Sequence, residues 1–320
     1  MKKKIGLGTW SWGNKLLWNY QQASNDNLRQ AYKSALDAGF WLIDTADSYG
    51  TGTLSGQSER LLGIFLEETS EFQKRNIKIA TKLAPYPWRL GRQGFNQAFL
   101  RSFERLNKNL DIVQLHWSTA RYNPIQELQL LDNLCDLIDK GYKFKIGLSN
   151  IGPKRLNYLN HYLAKKGQRV YSVQVQFSLL APDLQKQRLV RDICKENNIN
   201  FLAYSPLSFG LLSKKQFNFN DKSNSILRNL IFKYYSNSII ELRNIIEEIA
   251  ISRSVSMAQV AINWCCYQGA IPIVGLRNKT QVQDIAKVFK WNLNLDEFQI
   301  LEKASLNCSK RMLSNPFSSN

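Results

Sequence analysis

Eight short apolar runs, each followed by sequence with helical periodicity, divide this chain almost from end to end. The runs lie at 5–9, 40–44, 77–82, 112–116, 145–149, 170–177, 200–204 and 271–274, and each has the length and polar stops of a buried strand. Helices are predicted over 25–38, 58–69, 96–106, 125–140, 153–165, 187–197, 238–252, 257–267, 280–289 and 296–304. The first two carry Leu28, Tyr32, Ala35 and Leu36, then Leu61, Leu62, Phe65 and Leu66, at helical spacing. A polar loop rich in Ser, Asn and Lys is expected over 208–227. Strands that alternate with helices predict an α/β fold, a parallel closed (β/α)8 TIM barrel with extra C-terminal helices. An open doubly wound sheet would announce itself with G-x-G-x-x-G after its first strand. Here Gly6-Leu7-Gly8-Thr9-Trp10-Ser11 lacks the third glycine. A chain of 320 residues suits one such barrel, so residues 1–311 are expected to form a single domain, with 312–320 a loosely ordered tail.

Several function classes are disfavoured at once. No apolar run reaches the 18 or so residues of a membrane span, so no membrane association is expected. The start, MKKKIGLGTW, has no apolar leader core and enters the fold within a few residues. Five cysteines without C-x-x-C spacing fit a reduced, cytoplasmic protein. The formal net charge of +18 is spread through separate pairs such as Lys165-Lys166, Lys214-Lys215 and Lys310-Arg311. With no long basic stripe, that charge reads as a solvated surface rather than a nucleic-acid site. His116 and His161 are the two histidines, which leaves no zinc spacing and no expected metal. No P-loop and no G-x-S-x-G elbow is present.

Chemistry in such a barrel sits where strands end. Strand two, in FWLIDTADSYG, stops at Asp44 and is followed five residues on by Tyr49. Strand three ends at Lys82 and strand four at His116. Later strands end in Ser149-Asn150, carry Gln174, end in Tyr204-Ser205, and run into Gly275-Leu276-Arg277. A phenol with its ordinary pKa near 10 is a poor donor at neutral pH unless a neighbouring ammonium lowers it. Asp44 paired to Lys82, and Lys82 against Tyr49, would make Tyr49 a proton donor to a carbonyl oxygen that His116 orients. No side chain supplies a hydride, so a cofactor must.

The motifs GLGTW, DTADSYG, SERLLG, ATK, QLHW, GLSN, SVQVQFS and AYSPL, in that order from Gly6 to about Trp291, resemble the aldo-keto reductase family. The resemblance implies an NADPH-dependent barrel with an Asp, Tyr, Lys and His tetrad. It implies that Ser149, Asn150 and Gln174 hold the nicotinamide carboxamide and that Tyr204 stacks on the ring. By the same resemblance Ser205, Leu207, Gly210 and Lys215 line the pyrophosphate. Gly275, Arg277 and Gln281 hold the adenosine end, with Arg277 on the 2′-phosphate. Two departures stand out: Ile285 where the family usually has an adenine-contacting Asn, and Lys214 where Gly is common.

Within the family, WGNKLLWNYQ, DTADSYGTGTLSGQSERLLG, YPWRLG, LHWSTARY, VQVQFSLL and QVAINWC are most similar to plant plastid and cyanobacterial-type pyridoxal reductases. That similarity implies reduction of pyridoxal to pyridoxine, with Trp10, Trp117 and Trp88 as apolar walls for a flat aldehyde. Another small or sugar-derived aldehyde, and a cofactor-binding redox-sensing subunit, are the competing readings. Trp12 and Trp18 read equally as core or pocket, and Cys265-Cys266 as buried packing.

Overall fold

The structure is a computed structural model describing residues 3–89, 91–214, 217, 225–316 and 319. Its strands are β1 (Gly6–Gly8), β2 (Leu42–Asp44), β3 (Lys78–Leu83), β4 (Ile112–Leu115), β5 (Lys145–Ser149), β6 (Val170–Gln176), β7 (Asn200–Tyr204) and β8 (Ile271–Gly275). They pair in parallel and in sequence order, and β8 returns to β1 through Leu7↔Val274 and Gly8↔Gly275 to close the barrel. Helical crossovers such as Asn25–Asp37 and Pro153–Ala164 carry the chain back to the same end before each new strand.

The two-residue period of a strand explains how one closed sheet holds both a core and a site. Inward residues Leu42, Ala80, Ile112, Leu202, Ile271 and Ile273 meet as an apolar plug. Two residues further along β2, β3, β4 and β7 stand Asp44, Lys82, Gln114 and Tyr204, and two beyond Ile273 stands Gly275. An apolar floor therefore lies one layer beneath a polar one. The outward residues, among them Leu7, Ile43, Ile79, Val113, Ile146, Val173 and Val274, join the larger core under the helices.

The SERLLG segment supports these layers from outside. Ser58 Oγ donates to Thr9 O at 3.0 Å, and buried Glu59 accepts from Arg105 Nε at 2.7 Å and from Ser102 Oγ at 3.2 Å. Glu59 also accepts from Thr81, the outward neighbour of Lys82 on β3. Helix Gln57–Glu67 lies so close to Arg105 that a Cβ on Gly63 would fall 2.0 Å from the Arg105 carbonyl oxygen.

Two segments differ from expectation. Helix Gly91–Arg105 begins five residues before residue 96, because Phe95 lies one turn ahead of Phe99 and both are fully buried. Helix Ile226–Tyr235 starts inside the expected loop, capped by the Ser225 side chain, which accepts from Arg228 N. The described residues of the tail make hydrogen bonds to the barrel's loops. Met312 N donates to Leu180 O at 2.9 Å, Ser319 N to Asn150 O at 3.2 Å, and Gly152 N to Ser319 Oγ at 3.1 Å. The Ser319 hydroxyl thus satisfies a loop N–H that the barrel leaves unpaired. Among the described residues no helix is long and apolar enough to cross a membrane.

Gly63→Ala should destabilise the fold by at least about 2 kcal/mol, since the clash is with backbone rather than a movable side chain. Urea unfolding checks this against Gly141→Ala, where a Cβ meets nothing within 4 Å but the φ of 98° still costs conformational strain. The second variant should lose less.

Candidate active site

Asp44, Lys82 and Gln114 are presented by adjacent strand ends, with Tyr49 on the loop after β2 and His116 immediately after β4. Lys82 is 1% exposed, and its three ammonium hydrogens have three acceptors. They go to Asp44 Oδ2 at 2.6 Å, Thr45 O at 2.9 Å and Tyr49 Oη at 3.0 Å. Because the Tyr49 oxygen accepts from Lys82, its own hydrogen is left for another acceptor. Asp44 Oδ1 in turn accepts from Gln174 Nε2 at 2.8 Å and Gln114 Nε2 at 3.2 Å.

The electrostatics correct one expectation. Burial raises the Tyr49 pKa, and Asp44 and Asp47 add to that, so the lowering by Lys82 does not prevail. The phenol is held in its protonated form. Burial opposes the Lys82 charge, but Asp44 and Tyr49 outweigh it and the ammonium is retained. His116 is held well below the ordinary imidazole range by burial, then by the positive charges of Lys82 and Arg89. It is therefore neutral near pH 7, with Nδ1 3.3 Å from Ser48 Oγ and its ring 5.9 Å from that of Tyr49. Asp47, pushed up to about 6 by burial despite its ion pair with Arg89, ties this loop to Ala84 N.

Beside the tetrad a cleft of about 780 Å³ runs across the barrel mouth. Its tetrad end is lined by Trp10, Trp117, Ser149, Asn150, Gln174 and Tyr204; its far end is lined by Ser205, Leu207, Gly210, Gly275, Arg277 and Gln281. These are twelve of the fourteen sequence-predicted residues outside the tetrad; Trp88 and Lys215 are the other two. Trp88 does not line the cleft: it is 72% exposed and stacks on Tyr86, because the turn after β3 carries it outward. Lys215 lies outside the described residues. Trp12 is core, fully buried against Phe65, whereas Trp18 lines the cleft edge-on to Trp10.

The expected carboxamide group is also tied into the protein. Asn150 Nδ2 donates to His116 O at 2.9 Å, and Asn150 Oδ1 accepts from Tyr204 Oη at 2.8 Å and Asn315 Nδ2 at 3.1 Å. Asn150, Ser205, Ser208 and Phe209 all take φ between 48° and 59°. Left-handed non-glycine residues are costly and gather where backbone must be presented to a ligand.

Sequence reasoning missed Arg228, Phe209, Gln114 and Asn315. Arg228 reaches the cleft from helix Ile226–Tyr235 and, like Arg277, lies over the Trp18 ring, at 4.7 Å and 5.3 Å. The apolar spacing of 226–235 was the available signal for that helix. The cleft thus offers a flat apolar berth with Tyr204 near the tetrad, and Arg277, Arg228 and Lys214 toward the other end. Such a berth fits a long molecule with an aromatic ring at one end and anionic groups at the other, as a nicotinamide dinucleotide has. Ile285, buried, and exposed Lys214 both line it.

A closed barrel whose strand ends gather a buried Asp–Lys pair, a tyrosine and a neutral histidine beside such a cleft defines a class of carbonyl oxidoreductases. The chain belongs to the aldo/keto reductase family, whose model matches residues 4–306, and it is an oxidoreductase. It is 44% identical over 317 residues to the chloroplastic pyridoxal reductase of Arabidopsis thaliana, covering 98% of this chain and 86% of that protein. An aldo-keto reductase of Bacillus subtilis is 27% identical over 92% of this chain and 87% of its own. The solved glycerol dehydrogenase of Gluconobacter oxydans shares the fold with a TM-score of 0.77 at 23% identity, covering 98% of this chain and 95% of its own.

The depressed His116 pKa has a consequence for stability. The unfolded chain takes up the proton first, near pH 6.5, so stability present above that value falls as pH drops towards the folded pKa. Urea midpoints should fall more between pH 7.5 and 5.5 in the wild type than in His116→Gln. Equal falls would show that this imidazole does not carry the dependence.

Proposed function

We propose that this protein is an NADPH-dependent aldehyde reductase, with pyridoxal reduced to pyridoxine as its main reaction. The single observation that carries the reaction type is the Asp44–Lys82–Tyr49 chain, in which all three lysine hydrogens are placed and the phenol hydrogen is left to give. NADPH, when bound, supplies the hydride. Tyr49 donates the proton to the reduced carbonyl oxygen, and Lys82 stabilises the phenolate that this leaves. Neutral His116 orients the oxygen without competing as an acid. Tyr204 provides a ring face for the nicotinamide, and Ser149 and Gln174 border its carboxamide. Ser205, Leu207 and Gly210 cradle the pyrophosphate through their left-handed loop, and Gly275, Arg277 and Gln281 hold the adenosine end.

Pyridoxal rests on the 44% relative and on the lining of the cleft. Trp10, Trp117 and Phe209 suit a flat heteroaromatic ring. We take residues 1–311 as one catalytic domain, and the five unpaired cysteines suit a reducing compartment such as the cytoplasm.

The test is NADPH oxidation by purified protein with pyridoxal and a panel of unrelated aldehydes. Pyridoxal should lead the panel in kcat/KM, and Tyr49→Phe should lose about 10²–10⁴-fold in kcat while NADPH still binds. Even activity across the panel would keep the reductase and remove pyridoxal. Cofactor binding with no turnover on any aldehyde would favour a cofactor-sensing subunit.

Arg277 tests the cofactor end separately. Arg277→Ala should weaken NADPH about 10-fold or more, the scale of a hydrogen bond between charged groups, and weaken NADH less than about 3-fold. Equal losses in fluorescence titrations would place the 2′-phosphate elsewhere.

A further inference from the structure

Gln114 is fully buried inside the barrel, on β4, and does not line the cleft. Register puts it directly beside Lys82 on β3 and beside Gly147 on β5. Its Nε2 donates to Asp44 Oδ1 at 3.2 Å, next to the 2.8 Å bond that the same oxygen accepts from Gln174. Its Oε1 has no hydrogen-bond partner. That pairing fixes the amide: the reverse orientation would set an oxygen against the Asp44 carboxylate. The barrel also makes room for the side chain. A Cβ on Gly147 would lie 2.7 Å from Gln114 Cγ and 2.6 Å from Ser172 Oγ, so glycine is required on β5 for Gln114 to turn up towards Asp44.

A buried amide with an unsatisfied carbonyl oxygen costs stability, and an apolar side chain of that volume would continue the plug formed by Ile112 and its neighbours. The residue present instead spends its one used hydrogen bond on the carboxylate that anchors the catalytic lysine. We infer that Gln114 is a positioning residue of the reductase: its amide N–H holds the Asp44 carboxylate against Lys82, and through that pair sets the proton-donating power of Tyr49. This rests on the aldehyde reductase reading above. Gln174 holds the same oxygen but borders the cleft, so it is exposed to the state of the cofactor site, whereas Gln114 holds Asp44 whatever the cleft contains.

The charged and titrating groups around this point are few. Lys82 bonds Asp44 directly, and Tyr49 is joined to the same ammonium. Asp47 acts on Tyr49 from the loop after β2, and His116 follows β4 within reach of the charges on Lys82 and Arg89. Gln114 does not titrate, so replacing it with Met changes no formal charge at this point.

The test compares Gln114→Met, which keeps the volume and removes the donor, with Gln114→Glu, which restores a donor only when its new carboxyl is protonated. The pKa of Lys82 is read by NMR of labelled lysine in both variants and the wild type, a measurement that needs no turnover. In Gln114→Met it should fall by half a unit or more. In turnover, kcat should drop about tenfold, the scale of one hydrogen bond to a charged group, with the KM for NADPH within twofold of wild type. The alkaline limb of kcat should move to lower pH, and the relative activity of Gln114→Glu should rise as pH falls. A folded Gln114→Met protein with an unchanged Lys82 pKa overturns the inference. A wild type that reduces no aldehyde, with the Lys82 shift still present, removes the reductase reading and leaves the positioning of Lys82 by Gln114 standing.

Discussion

The ion pair between Lys82 and Asp44 is the interaction on which the rest of the site depends. Both groups are almost fully buried, so each has surrendered its hydration and must be repaid inside the barrel. Lys82 achieves this by filling all three of its donor positions, and Asp44 by accepting from two glutamines as well as from the lysine. Removing either partner would leave an uncompensated charge at a cost of roughly 3–5 kcal/mol. The pair is thus held in one arrangement, and Tyr49 is part of it.

Rigidity comes from the layer beneath. The plug of Leu42, Ala80, Ile112, Leu202, Ile271 and Ile273 fixes where the strands stand, and the two-residue period then decides which side chains point into the mouth. Glu59 and Ser58 brace β1 and β3 from outside through Thr9 and Thr81, which places SERLLG in support of the site rather than within it. The floor and brace leave the mouth's loops free to take costly left-handed turns at Asn150, Ser205, Ser208 and Phe209. The tail adds a cover, with Asn315 reaching Asn150 and Ser319 reaching its backbone.

How much of this was legible depends on the kind of signal each residue carries. Asp44, Tyr49, Lys82 and His116 could be read because a charged or phenolic group just past an apolar run is anomalous locally. Gln114 could not: a neutral amide inside a run scarcely disturbs its pattern, and its partner is 70 residues away in sequence. Arg228 lies on a short apolar-spaced helix that follows directly on a polar Ser/Asn/Lys stretch, so that its start was absorbed into the expected loop. Trp12 and Trp18 have the same chemistry six residues apart, yet one packs on Phe65 in the core and the other edges the cleft. The Ser/Asn composition of the tail carries no pattern, and only the contacts show that Asn315 and Ser319 have partners.

The sequence by itself determined the closed alternating barrel, the end of it where polar groups gather, and which four residues, Asp44, Tyr49, Lys82 and His116, meet there. Those follow from periodicity and from polar groups placed where burial would otherwise penalise them. The tertiary structure alone decided the protonation of the site, because desolvation is a property of what surrounds a group in three dimensions. It raised the Tyr49 pKa where the pairing with Lys82 had suggested a fall, and it kept His116 neutral. It also decided which tryptophans meet the cleft, since a strand end fixes where a loop begins but not where packing turns its side chains.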